Sequence, residues 1–160
     1  MRMRFLGFLT VLLSSMLGYG ETYLSASGAL TLPQGNGDLR RVGGVESRIG
    51  TYFSDCSALE AEVGWQENYA ALGIGVLTHW SAWDLYDRFF GFSAFDPFVT
   101  AGVRGWVGSS QGEVGPSLGV GAFYHLTENW SIRAEVDGVL GLESRIEFDH
   151  TLAIGLQYTF

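Results

Sequence analysis

Phe148-Asp149-His150-Thr151-Leu152-Ala153-Ile154-Gly155-Leu156-Gln157-Tyr158-Thr159-Phe160 alternates between two kinds of side chain. Phe148, His150, Leu152, Ile154, Leu156, Tyr158 and Phe160 form one set. Asp149, Thr151, Ala153, Gly155, Gln157 and Thr159 form the other. A helix would scramble the two sets, because its side chains repeat every 3.6 residues. A strand repeats every two and separates them onto opposite faces. The stretch therefore predicts a strand with one large, apolar face and one small, polar face.

Seven more segments upstream behave in the same way. They are Thr22 to Leu32, Arg41 to Ser54, Ser57 to Glu67, Tyr69 to Trp80, Phe95 to Val107, Val114 to Leu126 and Trp130 to Gly141. Gly, Asn, Asp and Ser punctuate them. Eight is an even number, and most segments reach the roughly 9–11 residues that a tilted strand needs to cross a bilayer. The connections fit a meander: a Gly/Asn-rich loop over Pro33–Arg40 and a tight turn at Thr127-Glu128-Asn129. Ser81–Ala94 is the one long connection. It is expected to form either a short amphipathic helix at a membrane surface or a loop packed under the barrel mouth.

Which face meets solvent decides the class, since a soluble ligand-carrying barrel would turn the apolar face inward. Three features turn it outward. The polar sets are dominated by Gly, Ser, Thr and Ala around a few charges, which suits the narrow interior of eight strands. The composition agrees: 23 Gly, only 16% charged residues and no Lys in 160 residues, with a mean hydropathy of +0.17. The large aromatics gather by depth on the apolar face. Phe53, Trp80, Tyr124, Trp130, Tyr158 and Phe160 fall at one end, and Trp65 and Phe148 at the other, as in an interfacial girdle. Trp106 has the opposite parity, which requires a bulge or an inward ring. Finally, pairing the last strand with the first would remove both sheet edges, as a lipid environment demands. The expected fold is all-β, an eight-stranded antiparallel up-and-down transmembrane β-barrel.

Residues 1–20 read as a signal peptide and 21–160 as the barrel domain. Arg2 and Arg4 precede an apolar run from Phe5 to Leu17, and Gly18-Tyr19-Gly20 offers small residues for cleavage. Removing Arg2 and Arg4 takes the net charge from −8 to −10, which argues against nucleic acid as a partner. Cys56 is the single cysteine, so no internal disulfide forms. In Asp55-Cys56-Ser57 it reads as a turn residue.

Three stretches resemble the OmpA/OmpX-like small outer-membrane barrels: Phe95 to Val103, Gly115 to Glu135, and Leu152 to Phe160. The resemblance implies residence in the outer membrane of a Gram-negative cell envelope. It also implies contact with lipid and lipopolysaccharide, and recognition of the C-terminal strand, ending at Phe160, by the barrel-assembly machinery. The chain is expected to act as a monomer. The motifs carry fold and location rather than an activity.

The inward parity collects Glu46, Arg48, Glu60, Glu62, Arg104, Arg133, Glu135 and Asp137. Buried charges must pair or neutralise, so mutual salt bridges are expected to plug the lumen and leave a structural or interaction role in envelope integrity. The alternative is a narrow, porin-like channel. Five acids against three bases would then make it prefer cations. A lipid A-modifying enzyme is a third class. His79-Trp80-Ser81 has the His–Ser spacing of lipid A deacylase barrels, with Glu135 as a candidate acid partner. Its flanking residues do not match, however, and His79 falls at the periplasmic end. His150 lies at the outer rim without a Ser two residues on. No catalytic residue is assigned. No cofactor or metal is expected either, since no phosphate-binding Gly pattern or zinc spacing is present.

Overall fold

The computed structural model describes residues 20–32, 42–66, 69–79, 94–108, 112–141 and 147–160. Their strands are β1 (Thr22–Leu32), β2 (Val42–Ser54), β3 (Ser57–Gln66), β4 (Tyr69–His79), β5 (Phe95–Gly108), β6 (Gly112–His125), β7 (Trp130–Gly141) and β8 (Glu147–Thr159). Each is paired antiparallel with its neighbours in sequence. β8 returns to β1, from Tyr23 opposite Thr159 to Leu32 opposite His150, and closes the barrel. This is the eight-stranded up-and-down barrel that the alternation predicts. The signal-peptide reading rests on residues of which only Gly20 is described. The Pro33–Arg40 loop and all but Ala94 of the Ser81–Ala94 connection lie outside the described residues.

The alternation sorts as expected from the large apolar sets. Leu118, Ile154, Leu156, Val120 and Val45 are exposed on the outside, the chemistry of a lipid-facing band. Trp130 and Tyr158 stand opposite each other across β7 and β8, with ring centroids 5.0 Å apart. Tyr158 meets Phe160 at the same distance, edge to face. Phe53 occupies a register shift between β2 and β3 and is exposed, as are Tyr124 at that end and Trp65 at the other. Trp80 lies outside the described residues, as does the side chain of Phe148. Trp106 resolves as an inward ring. The β4–β5 register runs without a shift, and Arg104 lies 5.7 Å from the indole centroid.

The two short turns at the Phe160 end are locally specified. Ser54 Oγ accepts from the backbone N–H of Cys56 at 3.4 Å. Thr127 Oγ1 accepts from Asn129 N and Trp130 N at 3.3 and 3.0 Å, which is the local competition for backbone donors that makes Thr and Asn turn residues. Asn129 Nδ2 then donates to Thr159 O at 2.9 Å and ties this turn to β8.

Inside, two glycines set the positions of two rings. Tyr23 stands opposite Gly50 in the β1–β2 register, and a Cβ at Gly50 would come within 2.2 Å of the Tyr23 ring. Phe98 stands opposite Gly121, where a Cβ would meet the ring at 2.4 Å and Ala134 O at 2.5 Å. Each ring lies across a bare backbone, as aromatic–glycine pairs do in sheets. Gly28, outside, has only Ile154 O at 4.0 Å. Gly121→Val is therefore expected to destabilise the barrel by about 1–3 kcal/mol or more from overpacking. Gly28→Ala should stay within about 0.5 kcal/mol of the parent. Urea unfolding of barrels refolded into lipid vesicles measures the difference.

Candidate functional site: the filled lumen

The eight inward charges come from four strands: Glu46 and Arg48 from β2, Glu60 and Glu62 from β3, Arg104 from β5, and Arg133, Glu135 and Asp137 from β7. Between them, β1, β4, β6 and β8 present small inward residues such as Ser25, Gly73, Gly119 and Gly155. The division is steric. Long side chains from one strand need bare neighbours to lie across: a Cβ at Gly119 would sit 3.0 Å from both Asp137 Cβ and Glu135 Oε1, and one at Gly73 would sit 3.4 Å from Glu62 Cβ.

All eight charges meet in one network. Arg133 contacts Glu60 through both terminal guanidinium nitrogens, one of them at 3.1 Å, and donates to Glu135 at 2.7 Å. Arg48 pairs with Glu135 and lies 3.0 Å from Glu46 and 3.5 Å from Asp137. Its Nε is 3.2 Å from Glu62 but off the angle of a hydrogen bond. Arg104 reaches Glu62 and Asp137, each at 2.5 Å, and Glu46 at 3.6 Å. Thr100 adds a hydroxyl to Glu135 at 3.0 Å. Seven of the eight residues are buried, and the Glu62 side chain is 10% exposed. Each guanidinium thus touches at least two carboxylates, as desolvated charges require.

An aromatic layer that the sequence reading did not single out lies beneath the charges. Tyr23, Ala58, Leu77, Phe98 and Phe123 form a buried cluster with Tyr52 packed against it. Arg133 joins the two layers: its guanidinium carbon lies 4.8 Å from the Phe98 ring and 5.5 Å from that of Phe123, within cation–π range. Tyr23 OH donates to Glu60 Oε1 at 2.6 Å. The available signal was parity alone, since Tyr23, Phe98 and Phe123 all fall on the small-residue faces of their strands. Above the charges, Thr31 donates to Gln66 at 2.9 Å and lies 3.0 Å from Thr151. Ala29, Ala71, Ala153 and Val139 are buried in the same part of the lumen. A cavity of about 40 Å³ remains beside the network, lined by Glu62, Thr100, Ser117, Arg104, Glu135 and Asp137 among others.

The carboxylate partner of His79 is Asp96, at 2.6 Å. It is not Glu135, which is held by Arg48, Arg133 and Thr100. The other nitrogen of His79 meets Tyr52 OH at 2.7 Å, and Ser81 lies outside the described residues. Cys56 is a free thiol in the β2–β3 turn. Among the described residues no group of three His, Cys, Asp or Glu side chains is placed to hold a metal.

No family model matches the chain, and no curated protein does. Solved structures do. The N-terminal β-barrel domain of Pseudomonas aeruginosa OprF matches with a TM-score of 0.66 and 19% identity, over 89% of this chain and 98% of that one. The fold is that of small transmembrane barrels. Neisserial surface protein A gives a TM-score of 0.64 at 15% identity, covering 87% and 97% of the two chains. A de novo designed transmembrane β-barrel gives 0.59 at 18%, covering 89% and 97%. A barrel with no natural history shares the shape too. The likeness therefore reports geometry, and function must be argued from the lumen.

Removing one member of the network leaves the others desolvated and unmatched. Arg133→Met is expected to cost about 3–5 kcal/mol, because it strands Glu60 and Glu135; Arg104→Ala should also be strongly destabilising. Ser47→Ala on the outer face should lie within about 0.5 kcal/mol of the parent. Equilibrium unfolding in vesicles checks all three, and an unchanged midpoint in both Arg variants would remove the network from the account of stability.

Proposed function

We propose that this protein is an exported barrel of the Gram-negative outer membrane with a structural or interaction role in envelope integrity, and that its lumen does not conduct. One observation carries the reading: the stacked filling of the lumen, in which Tyr23, Phe98 and Phe123 lie directly under the Arg133–Glu60 pair. Any ion crossing the barrel would have to displace both a ring layer and a charge-paired layer. On this reading the short Asp55-Cys56 and Thr127–Asn129 turns face the periplasm, following the usual arrangement of short periplasmic turns. The apolar band contacts lipid and lipopolysaccharide. Residues 1–20 serve export. The strand ending at Phe160 is the segment read by the barrel-assembly machinery, and the monomer is the working unit. Catalysis forms no part of the proposal.

The cavity beside Glu62, with five acids against three bases around the lumen, favours a narrow cation-preferring path as the second reading. Conductance of the refolded protein in a planar bilayer separates the two. The expected trace shows no resolvable steps, and reproducible cation-selective openings would overturn the plug. Triple replacement of Phe98, Phe123 and Arg133 by Ala is expected to create openings where the parent has none. Migration of unheated and boiled samples on a gel tests the membrane barrel itself: equal mobility would count against it.

A further inference from the structure

At the Phe160 end, below the aromatic layer, five side chains from five strands form a chain of polar contacts. Asp96 Oδ2 on β5 lies 2.6 Å from His79 Nδ1 on β4 and 3.5 Å from His125 Nε2 on β6. The outer nitrogens are held as well: His79 Nε2 is 2.7 Å from Tyr52 OH on β2, and His125 Nδ1 is 2.8 Å from Ser131 Oγ on β7. We propose that this group is a clasp over the mouth of the barrel that tightens in mild acid.

With Asp96 ionised and both imidazoles neutral, one assignment satisfies every contact. Tyr52 and Ser131 donate to the outer nitrogens, and each inner N–H points at the carboxylate. The His125 contact is too long for a good hydrogen bond, and Asp96 Oδ1 is buried without a partner among the described residues. The clasp is therefore half closed: one imidazole is engaged and a carboxylate oxygen is unused. His125 is 42% exposed at the side chain, against 12% for His79, so it has room to move.

Protonating the imidazoles makes all four ring nitrogens donors. Tyr52 and Ser131 keep their contacts by turning their hydroxyl hydrogens away, since each oxygen also accepts. The contacts to Asp96 become charge-assisted, which shortens and strengthens them. The three groups pass from a net charge of −1 to +1. The surrounding charges leave this sign intact. Tyr52 packs on Tyr23 of β1 at 5.4 Å and lies in the field of Glu21, Glu60 and Arg133. The Arg133 charge, across the Phe123 ring, is already taken up by Glu60 on β3 and Glu135. The backbone N–H of His79 donates to Cys56 O in the β2–β3 turn at 2.7 Å. Among the described residues, Asp96 is the carboxylate that contacts both histidines. Histidine is the side chain suited to change charge between pH 5 and 8.

Amide hydrogen exchange of the refolded barrel in micelles, corrected for intrinsic rates, tests the clasp at pH 7.5 and 5.5. Protection at Thr78–His79 and Phe123–His125 is expected to rise about threefold to fivefold at the lower pH, the size of one partly exposed ion pair. The rise should vanish in Asp96→Asn and fall by about half in His125→Gln. A flat or falling wild-type profile, or an equal rise in Asp96→Asn, would overturn the proposal. If Asp96→Asn fails to refold, the exposed His125→Gln and the double His79→Gln/His125→Gln variant decide instead. An undiminished rise in both would refute the clasp.

Discussion

The β1–β8 ladder constrains everything else in this molecule. A sheet surrounded by lipid has no water to satisfy open backbone groups, so its two edges must find each other. Ten consecutive residue pairs, from Tyr23–Thr159 to Leu32–His150, join them. Closing at eight strands fixes a lumen only wide enough for side chains. Period-two alternation then sends half of each strand's side chains into that narrow space. What enters must be small, or it must lie across something small.

This steric rule explains the composition. Several inward glycines lie where a neighbour's long side chain or ring crosses the wall, as Gly121 does under Phe98 and Gly119 does beside Asp137 and Glu135. It also explains why the charges form one cluster rather than scattered pairs. Three guanidiniums in a space this tight cannot avoid one another's carboxylates, so Arg48 serves Glu46, Glu62, Glu135 and Asp137 together. Such networks are weak sources of net stability, because desolvation offsets much of the Coulomb attraction. Their clearer effect is on register. A strand slipped by one residue would turn Arg133 and Glu135 into lipid and leave Glu60 and Arg48 unmatched.

The strands and their faces were legible in the sequence because alternation is a local signal. Phe148 to Phe160 shows it without reference to any other segment, and the β1 and β7 bounds coincide with the segments read from the sequence. The inward parity of the eight charges was legible for the same reason. Their partners were not, because partnership depends on how far each strand is staggered against the next, and no single strand records that. The same gap hid the aromatic layer. Phe123 stands among Ser117, Gly119 and Gly121 and reads locally as an exception, as does Tyr23 among Ser25, Ser27 and Ala29. Only the register, which sets Tyr23 opposite Gly50 and Phe98 opposite Gly121, turns these exceptions into a layer. The partner of His79 was hidden for a related reason: parity puts Glu135 inward as well, while depth separates the two and brings Asp96 to His79.

Depth is thus the coordinate that organises function here. Moving up from the turns, the lumen passes from a histidine–aspartate group to rings, then to ion pairs, then to hydroxyls and small apolar side chains. The lower three layers meet one another through specific contacts. His79 packs on Phe123 at 5.5 Å, Phe123 lies under Arg133, and Arg133 holds Glu60, which also accepts from Tyr23. A disturbance at the mouth therefore has a packed route to the charge network, and the reverse holds equally. Such a route becomes a coupling only where one of its elements has two stable arrangements. The densely paired arginines offer no obvious second arrangement. The half-closed contact between His125 and Asp96 is where the proposed clasp places one, with the His125 side chain 42% exposed.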